Sequence, residues 1–300
     1  MACIAPLRRS SDRPVDSARE KRPGNAATPQ TSTADKGRTV KDVPSLRDTT
    51  QQGTLLTSSN PVQYADAWVL QQRLHAERLD NQRADTLLLL EHQPVYTIGR
   101  RTLSSHLLGG ETALQTAGAA VERVNRGGSV TYHGPGQLVG YPILRLSRVA
   151  SGPKEYVWLL EETLRRTLSR WGIESHRLNG KPGLFAGPSQ EKEKVASIGI
   201  RIDRGVTLHG FALNVDLDLT PFSYIVPCGL KGCRMTSIAA LGQSSVPIKI
   251  VAQQVAEQFG CLFNLMWQNR DLDLFDSDAT GADDYPTRND EAMKEETVDA

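Results

Sequence analysis

The segment Arg126-Gly127-Gly128-Ser129-Val130-Thr131-Tyr132-His133-Gly134-Pro135-Gly136-Gln137 carries four glycines and one proline in twelve residues. No helix interior tolerates that composition, and a regular strand is weakened by it. The backbone must bend to special angles here, so its N–H groups can approach a ligand closely. Arg126 and His133 bracket the bend. Gln137 and His133 are interleaved with the aliphatic Leu138 and Val139, which a plain solvated turn does not need. There is no Gly-Lys-Ser/Thr, so this is not a phosphate loop of the Walker type. The spacing and the preceding context also exclude the dinucleotide fingerprint.

The rest of the chain must supply a core for this loop to lie on. With 300 residues, 39% of them hydrophobic, and a formal net charge of +1, it has the material for one large core or two modest ones. A wholly disordered chain, a collagen and a disulfide-stapled miniprotein are excluded. No apolar run approaches the roughly 18 residues of a membrane helix, so no membrane span is expected. The runs Leu87 to Leu90 and Val195 to Ile202 are of strand length. The cysteines are Cys3, Cys228, Cys233 and Cys261. They form no disulfide framework, so thiols in a reducing compartment are expected.

Charge and periodicity divide the chain into an extension over 1–52, one domain over 53–270 and an acidic tail over 271–300. Residues 1–50 carry a net +4 and residues 271–300 a net −9, leaving +6 on the body. The extension lacks an apolar period and is expected to be disordered, as is the tail. Arg8, Arg9, Arg13 and Arg19 suit a transit peptide, whereas Asp12, Asp16 and Glu20 oppose one. A cytoplasmic location is expected, with mitochondrion or plastid the alternative if residues 1–50 are a transit peptide. A basic body suits an acidic partner.

Within the body, helices are expected over Tyr64 to Leu79, Glu155 to Trp171 and Ile248 to Phe259. The second is supported by Glu161–Arg165 and Glu162–Arg166 pairs, and the third is expected to stop at Gly260. Strands are expected over Thr86 to Glu91, Lys194 to Ile202 and His209 to Leu219, the last two joined by an Asp203-Arg204-Gly205 turn. The fold class is α/β (α+β), a mixed sheet flanked by helices.

Two residues stand out chemically. Cys228 sits in Val226-Pro227-Cys228-Gly229-Leu230, where proline and glycine force a turn that exposes the thiol. Lys194 shares strand parity with Ala196, Ile198, Ile200 and Ile202. A lysine on that apolar face is partly desolvated, which lowers its pKa and makes it a candidate base. Beside a thiol it would stabilise the thiolate or take its proton. Cys233 invites a metal reading, but no second Cys pair or His-x-x-His accompanies it, so no metal is expected. Cys261 is expected to pack at a helix end. His133 and His209 are candidate base or binding residues without an acidic neighbour in sequence, so no Cys-His-Asp triad is expected.

These pieces resemble the octanoyltransferase family, the lipoyl(octanoyl) transferases or lipoate-protein ligases B. The matching motifs are Pro94 to Arg101, Arg126 to Gln137, Lys194 to Gly199, His209 to Asn214 and Pro227-Cys228-Gly229. The resemblance spans about 55 to 260. It implies the fold of the biotin and lipoate protein ligase catalytic domain. It also implies transfer of octanoyl from octanoyl-acyl carrier protein to a lysine on a lipoyl domain, such as those of 2-oxo acid dehydrogenases or the glycine cleavage H protein. In the family's roles, Cys228 forms the acyl-thioester and Lys194 lowers its pKa and acts as acid/base. Arg126, Gly127, Gly128, Ser129, Val130, Thr131, Tyr132 and His133 line the acyl site, with Ser197, Ile198, Gly199, Gly210, Phe211 and Ala212. The donor is already a thioester, so neither ATP nor another cofactor is expected. The kinetics should be ping-pong. Backbone N–H groups near Gly199 or in the glycine-rich loop are candidates to hold the oxyanion. Nucleic acid and membrane are not expected partners. The rival readings are an ATP-dependent lipoate or biotin ligase on the same fold, a thioesterase, and a non-catalytic module that binds acyl carriers.

Overall fold

The computed structural model describes residues 50–187, 193–230, 232–242 and 246–272. The expectations of a disordered extension, a transit peptide and a disordered acidic tail lie outside those residues, apart from the short stretches at 50–52 and 271–272.

The chain runs β1 (Gln51–Thr57), α1 (Tyr64–Leu79), β2 (Asp85–Leu90), β3 (Val95–Ile98), α2 (Gly110–Thr116), β4 (Ala120–Arg123), β5 (Thr131–His133) and β6 (Gln137–Ile143). It continues through α3 (Leu146–Val149), α4 (Pro153–Arg170), β7 (Ser175–Leu178), β8 (Lys181–Ala186), β9 (Glu193–Asp203), β10 (Val206–Asn214), β11 (Arg234–Met235), α5 (Ile248–Phe263) and β12 (Leu265–Asp271). Strand β1 begins at Gln51 and β12 ends at Asp271, so the folded body reaches slightly past both expected boundaries.

A mixed sheet in the order β12-β1-β2-β6-β10-β9-β8-β7, with β11 paired to the start of β9, forms the backbone of the domain. β1 runs parallel to both β2 and β12, and the remaining neighbours along this order are antiparallel. Alternation on β10 sorts the two faces. Phe211 and Leu213 join a core with Leu160, Leu164 and Leu168 of α4 and Val255 and Phe259 of α5. Leu208 and Ala212 join a second core with Ala67, Leu70 and Leu74 of α1. The sheet is thus covered by helices on both faces, as the sequence predicts. A separate sheet, β4-β3-β5, carries its own core around Tyr96, Val130 and Tyr132.

Two local expectations are corrected. Glu161 does not pair with Arg165; it takes Arg177 of β7, while Glu162 binds Arg165, Arg166 and Arg177. Helix α5 passes through Gly260 and ends at Asn264, which is left-handed (φ 55°). Gly260 serves packing rather than termination, since a Cβ there would lie 2.8 Å from the Leu265 carbonyl of β12. No helix among the described residues is long and apolar enough to cross a membrane.

Candidate active site

The glycine-rich segment lies over the face of β9 and β10 that also receives α1, and a cavity of about 900 Å³ opens beneath it. That is the size of a pocket for a small organic ligand, roughly 300–1,000 Å³. The period of two through β5 decides which residues reach it. Ser129, Thr131 and His133 face the cavity, as do Arg126, Gly127 and Gly128 before them. Val130 and Tyr132, expected in the same site, turn the other way into the core of the small sheet, where Tyr132 packs on Tyr96 and Phe222. Ser197, Ile198, Gly199, Gly210, Phe211 and Ala212 line the opposite wall.

The loop is pinned rather than free. The Gly127 N–H donates to the Ile200 carbonyl at 3.0 Å, which removes it as a candidate oxyanion donor. Arg126 is buried beneath the loop. Its guanidinium donates to the Thr97 hydroxyl and carbonyl and to the Gly127 and Ser129 carbonyls, at 2.7 to 3.3 Å. Burial pulls its pKa down, and the charge of the nearby Cys228 opposes that pull. Arg126 therefore places a fixed positive charge close to the thiol.

The candidate histidines are locked as neutral rings. His133 Nδ1 pairs with the Gln137 side-chain oxygen at 2.7 Å, so it carries the proton. Nε2 is left to accept from the Thr97 hydroxyl at 3.3 Å. Burial, reinforced by His92, pushes its pKa down to about 3. Gln137 passes the chain of bonds on to Asn214, and Asn214 to the Thr236 carbonyl. His209 has a left-handed backbone (φ 56°), which swings its ring away from the Phe211 face to stack on Trp68 of α1. Its Nε2 donates to Asn125 at 2.7 Å, and burial lowers its pKa to about 3. Rings held this way position neighbours and line the cavity; they are poor bases at neutral pH.

Cys228 occupies the middle of a tight 3-10 turn, Pro227–Gly229, in a left-handed conformation (φ 55°, ψ 17°) that only a determined surrounding maintains. The surrounding is visible. The Cys228 N–H donates to the Val130 carbonyl at 3.1 Å, and the Val226 N–H donates to the His106 carbonyl at 2.8 Å. The thiol is partly exposed to the cavity, 3.6 Å from the Ser197 hydroxyl.

Lys194 reaches the same cavity, but not by the parity read from sequence. The pairing of β8 with β9 matches Leu184 to Ala196 and then Phe185 to Lys194, leaving Val195 as an extra residue. This bulge sends Val195 and Ala196 together into the helix-covered core. Lys194 consequently lies on the Ser197 side, not on the Ala196, Ile198 and Ile200 side. It is 1% exposed. Its ammonium donates to the Pro182 carbonyl at 2.9 Å and sits 5.2 Å from the Phe185 ring centre. The room for it comes from Gly183 (φ 122°), where a Cβ would overlap the Ala196 carbonyl and lie 2.9 Å from Lys194 Cε.

Sequence reasoning missed Gly183 and also His106. The His106 Nδ1 takes the Leu103 N–H at 3.2 Å and the Ser129 hydroxyl at 2.7 Å, beside the Cys228 turn. Neither stands out locally: Gly183 is one of 25 glycines, and its left-handed angle is imposed by β9. Cys233, the second thiol near the turn, has its pKa raised by burial against the pull of Lys194. Among the described residues no cluster of His, Cys, Asp or Glu is arranged to hold a metal.

Residues 63–260 match the lipoyl protein ligase A/B catalytic domain family. An octanoyltransferase of Acidobacterium capsulatum is 41% identical over 230 residues, covering 72% of this chain and 94% of its own length. One of Caldicellulosiruptor saccharolyticus is 46% identical over 204 residues, covering 67% of this chain and 85% of its own length. The chain belongs to the octanoyltransferase family. Solved structures extend the likeness at the level of fold. A bipartite lipoate protein ligase of Thermoplasma acidophilum, studied with its E2 lipoyl domain, superposes with a TM-score of 0.55 at 14% identity, covering 74% of this chain and 88% of that one. A lipoate-protein ligase A bound with ATP gives 0.54 at 16%, covering 74% and 89%. In this octanoyltransferase-family domain, residues from all five recognised motifs converge on the cavity or pack directly against its walls.

Proposed function

We propose that the protein carries octanoyl from octanoyl-acyl carrier protein to a lysine of a lipoyl domain, through a thioester on Cys228. The observation that carries this reading is the placement of a strained, partly exposed thiol and a buried lysine on the walls of one cavity in an octanoyltransferase-family chain. The Cys228 thiolate attacks the donor's thioester carbonyl. The carbon–sulfur bond to the carrier breaks, and the departing thiolate takes a proton from Lys194. In the second half, the acceptor's lysine amine attacks the Cys228 thioester, the Cys228 sulfur leaves, and the amine's proton passes to Lys194. Exchange of one thioester for another is nearly neutral, and amide formation drives the second displacement. The fixed charge of Arg126 favours the thiolate on both occasions.

The test is intact-mass spectrometry after mixing with octanoyl-acyl carrier protein and no ATP. A single octanoyl adduct that maps to Cys228, and that disappears on adding a lipoyl domain, is the expected result. Cys228→Ser should form no adduct and transfer nothing, whereas Cys233→Ser should do both. An adduct on Cys233, or turnover that requires ATP, would overturn the assignment.

A further inference from the structure

Glu161 is a buried carboxylate, 7% exposed, that the transfer chemistry leaves without a task. It projects from α4, and its Oε1 accepts the Gly183 N–H at 3.0 Å. The same peptide unit presents its other end, the Pro182 carbonyl, to the Lys194 ammonium at 2.9 Å. Carboxylate, peptide and ammonium therefore form one line: a negative charge on the N–H side and a positive charge on the C=O side. A peptide held between such charges is polarised so that each bond strengthens the other. The absence of a side chain at Gly183 lets the ammonium settle there.

We infer that Glu161 is a positioning residue for Lys194, holding its ammonium through the Pro182–Gly183 peptide. This rests on the reading of Lys194 as the acid/base of transfer. The charged and titratable surroundings are consistent with that role on every side. From α4 and β7 come Glu161, with Glu162 and Arg177 behind it. From β8 comes Lys181, from β9 Glu193, and from the turn segment Cys228 and Cys233. Of the three acids, Glu162 is engaged with Arg165, Arg166 and Arg177 and Glu193 with Arg234, while Glu161 is the one bonded to the peptide that Lys194 holds.

The experiment is the pH–rate profile of octanoyl transfer by the full chain. Glu161→Gln keeps an acceptor for the Gly183 N–H and removes the charge. It should cut kcat by about 10-fold, less than loss of an acid–base group itself. KM should change little, and the limb of the profile that Lys194→Ala abolishes should move to lower pH. Arg177→Ala, which removes the cation from the other carboxylate oxygen, should move that limb the opposite way and also serves if Glu161→Gln does not fold. Unchanged limbs in the folded variants would overturn the inference while leaving Lys194 in place. Full activity of Lys194→Ala would instead overturn the acid/base reading beneath it.

Discussion

Gly183 decides where the Lys194 ammonium can rest, and nothing in its own neighbourhood announces the fact. An alanine there meets two penalties, a left-handed backbone angle and contact with the Ala196 carbonyl and the lysine stem. Gly183→Ala should lower transfer by about 10²-fold or more, the scale of a displaced acid–base group, with a lower Tm. A thermal melt alongside a transfer assay reads both, and wild-type turnover would contradict this account. The contrast with Cys228 shows what a sequence can say about a site. Proline and glycine adjoin the cysteine, so its turn is written locally and read correctly. Lys194 is visible as an oddity in an apolar strand, but its face is misread, because the Val195 bulge depends on how β8 lies against β9. Val130 and Tyr132 are misassigned for a simpler reason: a motif is a run of letters, whereas a strand shows only alternate letters to a ligand.

At the scale of elements, the bonds from Thr97 of β3 through His133 of β5 and Gln137 of β6 to Asn214 of β10 tie the small sheet to the large one. His92, buried near them, donates from Nδ1 to the Val62 carbonyl and accepts the Tyr141 hydroxyl; burial lowers its pKa to about 4. His133 and His209 fall to about 3. These depressed values make stability depend on pH in one direction. Below about 6.5 the unfolded chain takes protons that the folded chain refuses, so stability present above 6.5 is lost as pH falls toward 4 and 3. At pH 5 each such histidine weakens the fold by about 2 kcal/mol. Urea unfolding at pH 7.5 and pH 5 should show the loss. Glu162, held near 2 because its arginine bonds outweigh the effect of burial, adds stability that is present above about 4.5 and is lost only as pH falls toward 2. His133→Gln should shrink the difference between the two pH values; an unchanged difference would remove His133 from the explanation. The helices α1 and α4 are legible because three- and four-residue spacings survive without context. The short strands β3, β4 and β5 are not, since β4 reads Ala-Val-Glu-Arg with no buried residue and is fixed by parallel pairing to β3.

For the whole molecule, the helix-covered mixed sheet follows from the apolar stretches in the middle of the chain, while its outermost strands do not. β1 and β12 are half polar and lie at the two ends of the described chain, paired in parallel from Gln51 with Leu265 to Thr57 with Asp271. A chain trimmed to residues 50–272 should retain transfer, because every motif and both of these strands are kept. One trimmed to 50–264 should lose Tm and self-associate on gel filtration, since it leaves the β1 edge open. Equal behaviour of the two would show that β12 contributes little.

The parallel pairing of β1 with β12 also has a consequence for how the protein is made. As the polypeptide leaves the ribosome, β2 follows β1 within a few dozen residues, but the other flank of β1 must wait for some two hundred more. At about 5–20 residues per second that wait lasts tens of seconds. During it a hydrogen-bonding edge is open to any extended stretch that passes. Completion of this sheet therefore waits for the synthesis of Leu265–Asp271, and β1 is the stretch a nascent-chain chaperone would have most reason to shield.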